Sequence, residues 1–264
     1  MRSVDVQRAE PDAAAGKAVL VTGGTRGIGA GIARGFLRSG ARVLVCGRTE
    51  PAELPSAQGR TAVFAQADIR DPEQAARIAD RAAGLFGRLD VAVSNAGGSP
   101  YAAAATASPR FHAKVIELNL IAPLHIAQAA NAVMRDQGGG SIIMVGSVSG
   151  SRPSPGTAAY GAAKAGLHHL VTSLAIEWGP AVRINCVVPG FVATEAVARQ
   201  YGDAAVVAAV AATVPLRRMA TPDDVAQACL FLASPGAAYV SGTCLTVHGG
   251  GEPPAFLSAG ADSS

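Results

Sequence analysis

The sequence predicts an α/β fold in three layers, with helices on both faces of a doubly wound, parallel sheet of about seven strands. Three observations carry that expectation. Short β-branched runs alternate with longer Ala/Leu-rich runs of helical period along the chain. A glycine-rich turn joins the first of those strands directly to the first helix. No repeat, low-complexity linker or second domain interrupts the 264 residues. A single domain over 17–251 is therefore expected, with a loose N-terminal tail at 1–16 and a C-terminal tail at 252–264.

Composition removes several classes of function. Apolar residues make up 49% and charged residues 16%, which suits a packed core rather than a disordered chain. A net charge of +3 with dispersed cations, and only 5% aromatics, offers no platform for nucleic acid. Cys46, Cys186, Cys229 and Cys244 lie far apart without a CxxC, so reduced thiols are expected and neither a disulfide framework nor a metal site. The first 16 residues carry Asp5, Glu10 and Asp12 and lack an apolar h-region. No run of ~20 apolar residues suggests a membrane span. A soluble cytoplasmic protein without a membrane partner is expected.

In chain order, residues 17–21 read as the first strand and lead into Thr22-Gly23-x3-Gly27-x-Gly29, with a helix to about Ser39 and a stop at Gly40. A strand, a glycine turn (Gly23, Thr25, Arg26, Gly27, Ile28, Gly29) and a helix N-terminus form the layout that receives a dinucleotide pyrophosphate. The spacing departs from GxGxxG, and no GK[ST] marks a P-loop. The second strand, 42–46, ends at Gly47-Arg48, where an acidic residue would bind the ribose of NAD. Arg48 and Arg26 instead suit a 2′-phosphate, so NADP(H) is favoured, with NAD(H) the alternative.

Residues 61–65 read as the third strand, followed by Asp68-Ile69. Asp68 has two readings, an acceptor for the adenine amino group or a helix cap. Asp71-Pro72 fits the cap of the 72–86 helix better. The fourth strand, 89–93, runs into Asn95-Ala96-Gly97, a turn at the carboxyl end of a strand, where open sheets bind ligands. A long helix over 109–136 carries Asn119, a residue of poor helix propensity. The fifth strand, 141–145, precedes Ser147, and a helix over 157–178 carries Tyr160 and Lys164. The adjacent His168 and His169 suit surface or interface roles rather than a metal site. A sixth strand, 183–188, runs into Pro189-Gly190-Phe191-Val192-Ala193-Thr194. Residues 191–216 are read as a region over the substrate, either a lid or an ordinary surface helix. Thr221-Pro222-Asp223-Asp224 opens a last helix to about Ala233, and 242–247 is the last strand.

Tyr160 and Lys164 lie four apart on one helix face, and Ser147 lies thirteen residues before the tyrosine. A phenol, an ammonium and a hydroxyl that converge suit proton transfer to or from a carbonyl or alcohol oxygen. The ammonium is expected to draw the phenol below its usual pKa of ~10.

With these motifs on the page, the chain resembles the short-chain dehydrogenase/reductase family, in its shorter single-domain branch, over roughly residues 17–251. Six features fall in the family's order: the glycine turn, Asn95-Ala96-Gly97, Asn119, Ser147, Tyr160-x3-Lys164 and Pro189-Gly190-x3-Thr194. The resemblance implies a Rossmann fold and the following roles. Tyr160 exchanges the proton, Ser147 orients the reacting oxygen, and Lys164 holds the nicotinamide ribose and tunes the tyrosine. Asn119 holds a water that links the lysine to bulk solvent. Arg48 meets the 2′-phosphate, Asp68 and Ile69 the adenine, and Asn95 supports the cofactor from below. Val192, by its backbone, and Thr194 hold the carboxamide. The chain looks most like bacterial 3-oxoacyl-[acyl-carrier-protein] reductases, which implies an oxoacyl thioester substrate; a sugar, steroid or other secondary alcohol is the neighbouring reading. A non-catalytic cofactor-binding regulator is opposed by the intact Asn119, Ser147, Tyr160 and Lys164 set. A homotetramer (or homodimer) is implied, packed through the helices at 109–136 and 157–178. Two departures stand out. His248-Gly249-Gly250 replaces the family's Asp-Gly-Gly, in a segment expected to lie far from the hydride, and Gly146 stands where a second serine is frequent.

Overall fold

The computed structural model describes residues 14–195 and 203–252. Seven parallel strands form one sheet: β1 (Ala18–Thr22), β2 (Arg42–Gly47), β5 (Val63–Gln66), β6 (Val91–Ser94), β7 (Gly140–Val145), β8 (Val182–Pro189) and β9 (Cys244–Val247). Their order across the sheet is β5-β2-β1-β6-β7-β8-β9. The chain leaves β1 in one direction and restarts at β6 on its other side. The carboxyl ends of β1 and β6 therefore splay apart, and the loops that follow them border a crevice.

The central strands β1 and β6 are covered on both faces and are buried along their whole length, whereas the edge strands β5 and β9 stay partly exposed. Every residue of β1 is buried. On one face α1 (Gly27–Arg38) supplies Ile32 and Phe36, packed with Val225 and Cys229 of α7 (Pro222–Ala233). On the other face α2 (Pro72–Phe86), α4 (Ala122–Asp136) and α5 (Ala158–Trp178) bury Ile78, Ile126, Met134, Leu167 and Val171. Helix starts follow their caps. Asp71 accepts from the amides of Glu73 and Gln74 ahead of Pro72, as expected. Thr221 and Asp224 form a reciprocal capping box at α7.

The structure departs from the sequence reading in places. Residues 60–61 belong not to the sheet but to a small hairpin of β3 (Ser56–Ala57) and β4 (Arg60–Thr61), turned by Gln58 and Gly59 at positive φ. Ala62, buried behind the hairpin, ends that pairing, and the sheet strand starts only at Val63. The long helix is not continuous. α3 (Pro109–Ile116) passes through a π turn at Glu117–Ile121 before α4 begins. At the amino end the chain is anchored from Ala14, whose amide bonds to Ser39 O at 3.1 Å. Part of the proposed lid is a helix, α6 (Ala204–Thr213); its stretch 196–202, and the tails at 1–13 and 253–264, lie outside the described residues. No helix among the described residues is long and apolar enough to cross a membrane.

Candidate active site

The glycine turn is held from below. Asn95 Nδ2 donates to Thr22 O at 2.9 Å and Gly23 O at 3.2 Å, and Thr22 Oγ1 accepts from the amides of Asn95 and Ala96. Gly23 sits at φ +60, where a Cβ would come within 2.9 Å of Ala96 Cα. A Cβ on Gly29 would run into Gly23 O and Asn95 Nδ2. The glycines are thus required by the closeness of the turn, the helix and the Asn95-Ala96 backbone. Asn95 supports this crevice by bracing the turn.

Above that base the cradle is open and electropositive. α1 begins without a side-chain cap and without an acidic residue in its first turn, so its leading amides remain available to an anion. Thr25 Oγ1 stands beside Gly47 at the end of β2. Arg26 and Arg48 are exposed, and neither is in an ion pair among the described residues. On the far side, Thr194 Cγ2 is 3.7 Å from the place of a Gly27 Cβ. Val192 bridges Ala220 through bonds that use Ala193 N and Phe191 O, so the peptide groups of Val192 turn to the other side. Pro189 and Gly190 end β8 against Val247 and His248. The cradle fits a dinucleotide: glycines where it must approach closely, free amides for its pyrophosphate and guanidinium groups at its adenosine end.

Two expected adenine contacts need adjustment. Ile69 is 4% exposed and packs in the core beneath α2. Asp68 is gripped by the Arg70 guanidinium, which holds its carboxyl below the usual range. Its carboxylate is a partner of Arg70 and not a helix cap.

The structure brings Tyr160, Ser147 and Lys164 together. The Ser147 hydroxyl stands close enough to the Tyr160 phenol to favour its ionised form. Lys164 Nζ lies 5.7 Å from the Tyr160 ring centroid and donates to Val145 O at 2.8 Å. Gly97 leaves room above it, because a Cβ there would lie 3.5 Å from Nζ and 2.7 Å from Asn119 Oδ1. Asn119 is fully buried in the π turn, donating to Gly98 O at 2.9 Å and Val115 O at 2.8 Å and accepting from Gly98 N at 2.8 Å. A residue of poor helix propensity is stable here because its amide bonds to Val115 O and ties the helix to the Gly98 turn.

The electrostatics differ from expectation. Burial pushes the Tyr160 phenol up, only partly offset by the Ser147 hydroxyl, and the lysine does not draw it down. Lys164 is itself desolvated, its pKa lowered to about 8, and it directs a proton at a carbonyl rather than at the phenol. That titration has a consequence for stability. The unfolded chain, at 10.5, holds more protons than the folded one between about pH 8 and 10.5, so stability contributed by this site rises with pH across that window. Lys164→Met removes the slope. In urea titrations of the cofactor-free protein, the variant's stability relative to wild type should fall by at most about 3 kcal/mol from pH 7 to pH 10.5. A difference that stays constant with pH counts against a buried ammonium here.

Two further features escaped the sequence reading. Gly146 is more than a tolerated substitution: a Cβ there would meet His168 Nε2 at 2.5 Å and Cys186 Sγ at 2.7 Å. His168 is half-buried behind the strand end, with burial lowering its pKa, whereas His169 is exposed as expected. The other feature is a cavity of about 290 Å³ at the carboxyl ends of β8 and β9, bounded by Val148, Arg152, Phe191, Thr246, His248 and Glu252. The His248-Gly-Gly segment, expected to lie far off, therefore walls a cavity that starts one residue beyond Ser147. Parallel pairing of β9 with β8 brings it there, and only the sheet order reveals this.

A parallel sheet with a glycine cradle at its switch point and a phenol, ammonium and hydroxyl beside it defines a nicotinamide-dependent oxidoreductase. A family model described as enoyl-(acyl carrier protein) reductase matches residues 23–252, and the chain belongs to the short-chain dehydrogenase/reductase family. Its relatives act on varied alcohols and ketones. A 3alpha-hydroxysteroid dehydrogenase from Mediterraneibacter gnavus is 34% identical over 241 residues, covering 88% of this chain and 96% of that protein. A putative ketoacyl reductase of granaticin polyketide synthesis from Streptomyces violaceoruber is 36% identical over 244 residues, covering 90% and 97%. Among solved structures, an aldohexose dehydrogenase from Thermoplasma acidophilum superposes with a TM-score of 0.85 at 28% identity, covering 91% of this chain and 96% of that one.

Proposed function

We propose that the protein is an NADP(H)-dependent enzyme that interconverts a ketone and a secondary alcohol, with Tyr160 as the proton-transferring group. The convergence of Tyr160, Ser147 and Lys164 beside the glycine cradle carries this reading. The bound nicotinamide supplies or accepts the hydride. Ser147 holds the reacting oxygen toward the phenol, and Tyr160 donates its proton during reduction or takes one during oxidation. Lys164, fixed by Val145 O, presents its remaining N–H groups toward the ribose position beside Gly97. Asn119 orders the turn above the lysine; a water on its backbone is the proposed link to solvent.

NADP(H) is the cofactor this reading favours, because Arg48 at the end of β2 and Arg26 in the glycine turn are in no ion pair among the described residues. Arg48→Glu should lower the ratio of kcat/KM with NADPH to that with NADH by ~10–100-fold, the loss of one charge-assisted phosphate contact. An unchanged ratio removes Arg48 from the 2′-phosphate site.

An oxoacyl thioester is the substrate suggested by the motifs around Ser147 and Tyr160, and the ketoacyl reductase relative supports it. A second reading, a dehydrogenase of a compact polar alcohol, is favoured by the charged wall of the cavity beside Ser147, where Arg152 faces Glu252. Assays with NADPH and NADH against an acetoacetyl thioester and a panel of secondary alcohols separate them. Alcohol oxidation without thioester turnover removes the first. Assembly as a homotetramer is supported by Ile116, Ile121 and Ile176, which stand exposed on the helices expected to pack together.

A further inference from the structure

Arg152 shows what the cavity is built to hold. Its Nη1 donates to Pro153 O at 3.1 Å and its Nη2 to Glu252 Oε1 at 2.7 Å. Nε is buried and has no hydrogen-bond partner among the described residues. The guanidinium carbon lies over the Phe191 ring, 5.9 Å from its centroid, on the cavity wall. The Nε–Nη2 edge of an arginine offers two parallel N–H groups, spaced for the two oxygens of one carboxylate. Glu252 engages only one of them.

Glu252 is also poorly suited to be a permanent partner. It follows Gly249, Gly250 and Gly251, all at positive φ, so it is carried on an arm and not on a helix or strand. Gly249 and Gly250 rest on Val214 and Pro215 just after α6, which places the arm against the last residues of the proposed lid. Among the described residues this buried N–H is left unpaired by the carboxylate beside it, which calls for an explanation, and the adjoining cavity supplies one.

We infer that Arg152 is a carboxylate-binding, specificity-determining residue, and that the substrate is a secondary alcohol or ketone bearing a carboxylate whose oxygens accept from Nε and Nη2 in place of Glu252. This deepens the oxidoreductase reading proposed above and rests on it for the alcohol end of the substrate. Val148 lines the cavity and directly follows Ser147 in the chain; in the proposed pose a compact molecule sets its oxygen at Ser147 and its acid at Arg152. Glu252 acts as an internal stand-in that occupies the site until the substrate arrives. The anion is assigned to the substrate itself rather than to the phosphates of a carrier thioester, because the cavity is compact and apolar on its Val148 and Phe191 sides.

Calorimetric titration of the full chain with cyclohexanecarboxylate and with cyclohexanecarboxamide, with and without NADP+, tests the assignment. The acid is expected to bind ~10–100-fold more tightly than the amide. Arg152→Met should erase that preference, Arg152→Lys should restore part of it, and Glu252→Gln should strengthen it by removing the internal competitor. Equal binding of acid and amide by the wild type, or an acid preference that survives Arg152→Met, overturns the proposal. Turnover distinguishes it from the parent reading. Brisk reduction of acetoacetyl-CoA with no acid preference overturns the carboxylate site and leaves the oxidoreductase. A firm acid preference with no alcohol or ketone turned over supports the site and removes the oxidoreductase.

Discussion

Tyr160→Phe lowers kcat by roughly 10²–10⁴-fold in both directions, the range spanned by a positioned general acid–base, while the fold and cofactor affinity persist. The ring keeps its place near Lys164, and the interaction removed is the hydroxyl's contact with Ser147, worth about 0.5–1.5 kcal/mol in a folded protein. Loss of turnover without loss of binding is therefore the signature. The pH profile adds a second check. Burial holds the phenol protonated well into the alkaline range, so wild-type oxidation, which needs the phenolate, climbs with pH above neutrality. Reduction, which needs the phenol, stays level through neutrality and declines only at high pH. The residual activity of Tyr160→Phe should show neither trend. If the variant keeps more than about a tenth of wild-type turnover, another group moves the proton, and a non-catalytic cofactor-binding protein becomes the better description.

Gly29→Ala is expected to disable the cradle although alanine is the better helix former by ~1 kcal/mol. The added methyl would overlap Gly23 O and Asn95 Nδ2, the two groups that hold the turn closed. Neither can retreat cheaply. Gly23 N is bonded to Cys46 O at 2.8 Å, and Asn95 is bonded to Thr22 on both its backbone and its side chain. Overpacking of this kind costs ~1–3 kcal/mol, and because it is spent in displacing the turn, NAD(P)(H) affinity should fall by ~10–100-fold. Gly84→Ala is the matched control: it lies in α2 with nothing within 4 Å of the added atom. That change should stabilise by ~0.5–1 kcal/mol and leave binding untouched. Thermal unfolding together with cofactor titration reads both variants. Equal behaviour of the two glycines shows that closeness at the turn does not govern binding.

Much of this architecture is legible along the chain because it depends on local spacing. Strand and helix runs are set by apolar period, and their ends by Asp71-Pro72 and Thr221-Pro222, so α2 and α7 fall where the sequence predicts them. Tyr160 and Lys164 share a face because one helix carries both. Asn119 marks its own anomaly, an amide inside a helix, yet its π turn and its bonds to Gly98 depend on a loop 21 residues away.

What the sequence determined by itself is the alternation of strand and helix, the glycine turn and the Ser147, Tyr160, Lys164 set, since each is a matter of residues at short separation obeying helical or extended period. Tertiary structure alone decided three things. It buried Lys164 and half-buried Tyr160, so that desolvation rather than mutual attraction governs their protonation. It filled the space over Gly146 with His168, whose place no local pattern announces. And by laying β9 beside β8 it carried Glu252 across to Arg152, residues 100 apart in the chain, because pairing between distant strands is settled by the whole sheet's packing and not by any stretch of it.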